Sequence, residues 1–221
     1  MTWQRSGEFA KGLKRAGVRS IVVGDLTEEW YLYAIAHPIS SSIDIRRNLE
    51  RYYERDLVEK MLEGGGSLVP DEQAERRFGI LLSNGQVHLP VRLLARDLHA
   101  SGFPVLRYEI RWTPEQGRPK GEYLVRITFR FIYITCVGYV THASDRVLWS
   151  LRVPSLLPDQ LITAEAWLNA IKSNLEALST SPTRGVREVL TLTEDRKIKW
   201  TTDERWEEMM KLATILFGET I

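Results

Sequence analysis

The spacing of apolar side chains divides the chain into alternating strand and helix signals. Phe9 and Leu13 lie among Lys11, Lys14 and Arg15, a short helix that Gly17 stops. Val18-Arg19-Ser20-Ile21-Val22-Val23-Gly24 is a β-branched run with no room for a helical period, which predicts a buried strand. From Ile43 to Leu62, apolar Ile45, Leu49, Tyr52, Tyr53, Leu57, Val58 and Met61 recur at spacings of three and four among charges. That predicts one amphipathic helix, ended by Gly64-Gly65-Gly66. A helix from Pro70 through Arg77 follows, then a second from Asn84 to Ala100 with Val87, Val91, Leu94, Ala95 and Leu98 as its apolar members. Val105 to Trp112 alternates apolar and polar residues, the period of a strand. Asp159 to Leu178 predicts a long helix. Val189 to Trp200 predicts a strand pair turning around Glu194-Asp195, and Thr202 to Leu216 a closing helix capped by Thr202 or Asp203.

Strands separated by long helical stretches imply an α/β fold with a mainly parallel sheet. In such sheets chemistry sits in the loops that leave the carboxyl ends of strands, here just after Gly24 and just after Trp112. The 221 residues suffice for one or two domains, and with no Ser/Pro/Gly-rich linker and no internal repeat one domain is the simpler reading.

Composition removes several classes of function. Thirty Lys plus Arg against 29 Asp plus Glu leave no basic excess to neutralise a row of phosphates, so nucleic acid is not an expected partner. The single cysteine, Cys136, can form neither an internal disulfide nor a cysteine-based zinc site. No basic segment followed by an apolar stretch opens the chain, and Arg126 and Arg130 interrupt its most apolar run, Tyr123 to Val140. A soluble, cytoplasmic protein without a membrane span is expected. His37, His88, His99 and His142 lack the i, i+4 spacing of a zinc helix, so neither a metal nor another cofactor is expected.

Two loops hold candidate chemistry. After the first strand come Asp25-Leu26-Thr27-Glu28-Glu29-Trp30, where adjacent acids could orient a base but also suit the start of a helix. After the second strand and its Pro/Gly-rich loop comes Thr141-His142-Ala143-Ser144-Asp145, where a lone histidine is a candidate proton carrier, though most histidines are structural or solvated.

In this order the segments resemble the carboxyl-terminal part of the type B carboxylesterases, the cholinesterase-like branch of the α/β-hydrolases. That family has a Val-Gly-x-x-x-x-Glu segment carrying the triad acid and a His-Gly-x-Asp segment carrying the triad base. Val23-Gly24 leads to Glu29, and His142-Ala143-Ser144-Asp145 matches the second segment, with Trp30 and Ala143 standing where the family has glycine. Arg77-Phe78-Gly79, Pro90-Val91-Arg92, Phe103-Pro104-Val105-Leu106-Arg107-Tyr108 and Arg118-Pro119 resemble the connecting stretches. The resemblance covers nearly the whole chain. It implies a partial α/β-hydrolase fold, a small carboxylic ester as substrate, Glu29 as triad acid with Glu28 as the close alternative, and His142 as triad base.

The nucleophile is missing. No Gly-x-Ser-x-Gly elbow occurs, and the nearest stretch, Gly65-Gly66-Ser67-Leu68-Val69, lacks the second glycine and follows a helix. The chain is therefore expected to be a carboxyl-terminal fragment of such a domain and inactive alone, or else a non-catalytic interaction module built on the same half-fold. Some apolar surface, especially around Val18 to Val23, should then lack a cover, so poor solubility is expected. Residues 122 to 137 are a further anomaly, because Arg118-Pro119-Lys120-Gly121 and Gly138-Tyr139-Val140-Thr141-His142 would join smoothly without them. Their codons can hold a splice donor and an acceptor in frame, so the segment reads either as a translated intron or as an added strand, since Val125, Ile127, Phe129 and Phe131 alternate with polar residues. Either origin is expected to displace His142.

Overall fold

The computed structural model describes residues 2–37, 39–64, 70–118, 122–127, 130–135, 138–178 and 184–218, and the side chains of all but a few of these outside 122–135. A short α1 (Thr2–Arg5) and α2 (Glu8–Arg15) precede β1 (Ile21–Leu26). Among the described residues, five α-helices separate β1 from β2 (Val105–Ile110): α3 (Trp30–Ala36), α4 (Ser42–Leu49), α5 (Arg55–Gly64), α6 (Ala74–Ser83) and α7 (Leu89–Ala100). A hairpin, β3 (Glu122–Ile127) and β4 (Arg130–Thr135), comes next, then α8 (Arg146–Ser150) and α9 (Pro158–Leu178). The antiparallel pair β5 (Glu188–Leu192) and β6 (Ile198–Thr202) leads into α10 (Trp206–Phe217).

The fold is α/β with a mainly parallel sheet, as the pattern predicts. Its four strands lie in the order β1-β2-β5-β6, with β1 and β2 parallel from Ile21↔Val105 to Leu26↔Ile110 and β2 parallel to β5. The architecture matches the later strands of an α/β-hydrolase sheet. Gly24 is required where it stands, because a Cβ there would collide with the Tyr108 carbonyl on β2. On one side of the sheet Leu106, Ile110, Leu190 and Leu192 pack with Trp167 and Ile171 of α9 and Leu148 of α8. A second core joins α4, α5, α6, α7 and α10 through Leu49, Val58, Met61, Phe78, Leu82, Leu93 and Met209.

Several boundaries differ from the sequence pattern. The single helix expected from Ile43 to Leu62 is two, because the chain turns at Leu49, whose carbonyl takes the amides of both Tyr52 and Tyr53, and restarts at Glu54, which takes those of Leu57 and Val58. The break lets α4 pack on α6 while α5 packs on α10. Conversely, the helices expected from Pro70 through Arg77 and from Asn84 to Ala100 are joined: α6 continues to Ser83, and a turn of π-helix over Asn84–His88 carries it into α7. A widened turn of this kind is common at functional sites. The closing helix starts at Trp206: Thr202 belongs to β6, and the Asp203 carboxylate, which takes the Arg205 amide at 3.0 Å, is otherwise committed to two arginines. The glycine stop beyond Gly64 and the Gly65–Val69 stretch lie outside the described residues.

The hairpin β3–β4 forms a sheet of its own. Its flanks meet, since Arg118 Nη1 donates to the Gly138 carbonyl at 3.4 Å. Residues 118 and 138, on either side of the segment, therefore lie close together. Among the described residues no helix is long and apolar enough to cross a membrane.

Candidate active site

Because β1 ends at Leu26 and α3 begins at Trp30, Glu28 and Glu29 occupy the turn at the carboxyl end of a parallel strand. The two neighbours do different things. Glu28 holds the incoming loop: its amide donates to the Val140 carbonyl at 3.0 Å, and the Val140 amide donates to its Oε2 at 2.9 Å. Glu29 is 2 % exposed. Its Oε1 takes the Leu26 amide at 3.2 Å, and its Oε2 lies 3.0 Å from His142 Nδ1. Both acids also precede the amino terminus of α3, so the helix-start reading of the pair holds as well.

The loop carrying His142 is fastened to the same helix. The Leu32 amide of α3 donates to Thr141 Oγ1 at 3.2 Å, and the Thr141 carbonyl takes the Ser144 amide at 2.9 Å and the Ser144 hydroxyl at 2.6 Å. Asp145 stays buried and takes Trp149 Nε1 at 2.7 Å, which ties the loop into α8. Trp30 does not crowd the histidine: its ring meets Tyr139 at 5.1 Å between centroids, and Arg76 stacks on it.

Ala143 sits at φ 64°, in the left-handed region. A Cβ there costs about 1–2 kcal/mol, which is why glycine suits the position after the histidine. Ala143→Gly regains that strain and gives back part of it through a freer unfolded chain, so thermal or urea unfolding should show a gain of roughly 0.5 kcal/mol.

Burial pushes the Glu29 carboxyl pKa up, opposed by His142 and by the Leu26 amide. With Nδ1–H directed at Glu29, the acceptor lone pair of a neutral ring lies on Nε2. The His142 side chain is 53 % exposed, and among the described residues nothing hydrogen-bonds Nε2. The arrangement can therefore accept a proton from a group brought to that edge. Ser144, the serine closest in sequence, is buried and spends its hydroxyl on Thr141.

Beneath this pair lies a buried network that the sequence pattern did not disclose. Asp25 Oδ2 is 2.5 Å from His88 Nδ1 and takes Arg92 Nη1 at 2.6 Å; Arg92 Nη2 reaches Asp203 at 2.8 Å, and Arg107 Nη2 reaches the other Asp203 oxygen at 2.5 Å. All five side chains are at most 4 % exposed. Burial pushes Asp25 and Asp203 up, but the His88 hydrogen bond and Arg92 at Asp25, and Arg92 and Arg107 at Asp203, outweigh it and hold both below the usual carboxylate range. Two carboxylates against two guanidiniums balance. The network fixes Asp25 at the end of β1, one residue before the Leu26 amide that holds Glu29. The i, i+4 spacing of His88 and Arg92 was its only local signal.

No known family model matches the chain. It is 28% identical over 228 residues to a protein of Schizosaccharomyces pombe described as an uncharacterized esterase/lipase. That match takes in 96% of this chain and 39% of the relative, so the chain spans about two fifths of the relative's length.

Proposed function

We propose that this chain carries the acid and base of a serine carboxylic ester hydrolase of the type B carboxylesterase branch, with the nucleophile on polypeptide outside it. The observation that carries this reading is the 3.0 Å contact between buried Glu29 and His142 at the carboxyl end of a parallel strand. The sequence similarity to an esterase/lipase over nearly the whole chain supports it. So does the edge of the sheet: among the described residues no strand pairs with the outer side of β1, and Ile21, Val22 and Val23 are only half-buried there.

In this mechanism Nε2 of His142 takes the proton of a serine hydroxyl as its oxygen attacks the ester carbonyl. The tetrahedral intermediate collapses, and the departing alcohol receives that proton. Water then attacks the acyl-serine, giving its proton to Nε2, and the carboxylic acid leaves as the serine regains a proton from the ring. Glu29 keeps the proton on Nδ1 and stabilises the imidazolium formed in each half-reaction. Glu28 holds the loop in place through Val140.

Release of p-nitrophenol from p-nitrophenyl acetate tests the reading. The purified chain should show no turnover that a serine-directed phosphonate blocks, whereas the chain extended through the coding sequence upstream of Met1 should. An extended chain that also fails, and that holds no Gly-x-Ser-x-Gly, favours the alternative of a non-catalytic module that packs on a partner through β1.

A further inference from the structure

A cavity of about 820 Å³ lies beside Glu28, between α3, α6, the π-helical turn and the start of α10. Its charges cancel among the described residues. Five arginines line it, answered by Glu28, Glu194 and Glu208 on the wall and by Glu109 and Glu204, which take hydrogen bonds from Arg111 and Arg205. Trp30, Ile80 and Val140 give the wall an apolar part. An ion entering such a space would lose its hydration without meeting a net opposite charge, so the cavity suits a neutral guest.

His88 ends the π-helical turn at this wall and is 3 % exposed. It is held from two sides: Nδ1 lies 2.5 Å from Asp25 Oδ2, and the His88 carbonyl takes Arg92 Nη1 at 2.9 Å. The Asp25 carboxyl stays ionised despite burial because His88 and Arg92 face it, so it can only accept. Nδ1 therefore carries the proton, and in the neutral ring Nε2 is an acceptor.

Nε2 has no hydrogen-bond partner among the described residues, yet it is not sealed from solvent as the unpaired nitrogens of Arg77, Arg92 and Arg107 are. With His88 on the cavity wall, the opening available to it is the cavity. The N–H groups nearby are spent elsewhere: Arg205 on Glu109 and the Thr27 carbonyl, Arg111 on Glu109 and Glu204, Arg118 on the Thr113 and Gly138 carbonyls. An acceptor fixed in this way regains its lost hydration only from a donor that enters the cavity.

We propose that this cavity is a binding site for a small neutral molecule bearing a hydroxyl group, whose O–H donates to His88 Nε2 while its carbon frame lies against the apolar part of the wall. The site is separate from the Glu29–His142 pair and does not depend on the ester hydrolase reading. The Asp25 carboxylate polarises the ring and makes Nε2 a stronger acceptor, as a carboxylate does behind a metal-bound histidine. A hydroxyl suits the site better than an amine, which arrives as a cation near neutral pH and finds a wall with no net charge to receive it.

Ring nitrogen-15 NMR of this chain with its four histidines labelled, titrated at about pH 8 with phenol, with cyclohexanol and with the methyl ether of each, tests the proposal. His88→Gln identifies the His88 signals by their loss; if that variant does not fold, the same change at His37, His99 and His142 in turn identifies them by elimination. Saturable movement of the His88 Nε2 signal is expected with phenol or cyclohexanol, at a Kd on the order of 1–10 mM for so small a ligand. The tighter of the two tells an aromatic guest from an aliphatic one. Its methyl ether keeps the carbon frame without the O–H and should bind about fivefold more weakly, the share of one hydrogen bond. A His88 Nε2 signal that neither hydroxyl compound moves up to roughly 50 mM, as water alone would leave it, or an ether that binds as tightly as its parent, would overturn the proposal.

Discussion

In a polypeptide that joins this chain to its nucleophile segment, His142→Ala is expected to lower kcat for p-nitrophenyl acetate by a factor on the order of 10⁴ or more, with KM little changed. The imidazole acts on protons in flight and binds little of the ground-state substrate, so its loss falls on kcat. Glu29→Gln should cost on the order of 10³–10⁴ in kcat, since an amide facing Nδ1 favours the wrong tautomer and cannot stabilise the imidazolium. Glu28→Gln is the control. It keeps an oxygen for the Val140 amide and should leave kcat within about threefold, because it does not touch the ring. A larger loss for Glu28→Gln than for Glu29→Gln would reverse the assignment of Glu29, and equal losses would remove it. The folded state holds the Glu29 proton more tightly than the unfolded chain does. Its contribution therefore weakens as pH rises from the unfolded glutamate value toward the raised folded one, and Glu29→Gln should gain stability while losing activity.

The second large effect lies in the network under the site. Asp203→Ala leaves Arg92 and Arg107, each at most 3 % exposed, without the carboxylate that joins them. Breaking one side of a buried pair costs about 3–5 kcal/mol, a large part of the roughly 5–15 kcal/mol that holds a domain folded. Urea unfolding should show that loss, or the variant should fail to fold. Asp203→Asn retains acceptor oxygen for one arginine and should lose less. A midpoint equal to that of the parent would mean the cluster contributes nothing. The same carboxylates set an acid limit. Asp25 and Asp203 have folded pKa values below their unfolded ones, so their stabilisation is complete above about pH 4 and is lost as pH falls from there through the depressed folded values.

Local pattern disclosed much of the frame and little of this interior. The β-branched run before Gly24 and the alternation after Val105 mark β1 and β2 because strand period is a property of a few adjacent residues. The same alternation misleads about Arg107 and Glu109. Their polar character gives no sign that both are buried, paired with Asp203 and Arg205, each 96 residues away. Tyr52 and Tyr53 carry the apolar period straight through the break between α4 and α5, so the break is invisible without the helices it serves. For the candidate site, residue type and order singled out Glu28, Glu29 and His142. Which glutamate reaches the ring is fixed by Val140, whose amide occupies Glu28 from 112 residues downstream.

The central claim is that Glu29 holds His142 with its proton on Nδ1, leaving Nε2 as the base. Nitrogen-15 NMR of the His142 ring in this chain, well above neutral pH, tests it most directly. The account predicts the Nδ1–H tautomer in the parent and a shift toward Nε2–H in Glu29→Gln. An Nε2–H ring in the parent, unchanged by Glu29→Gln, would contradict it.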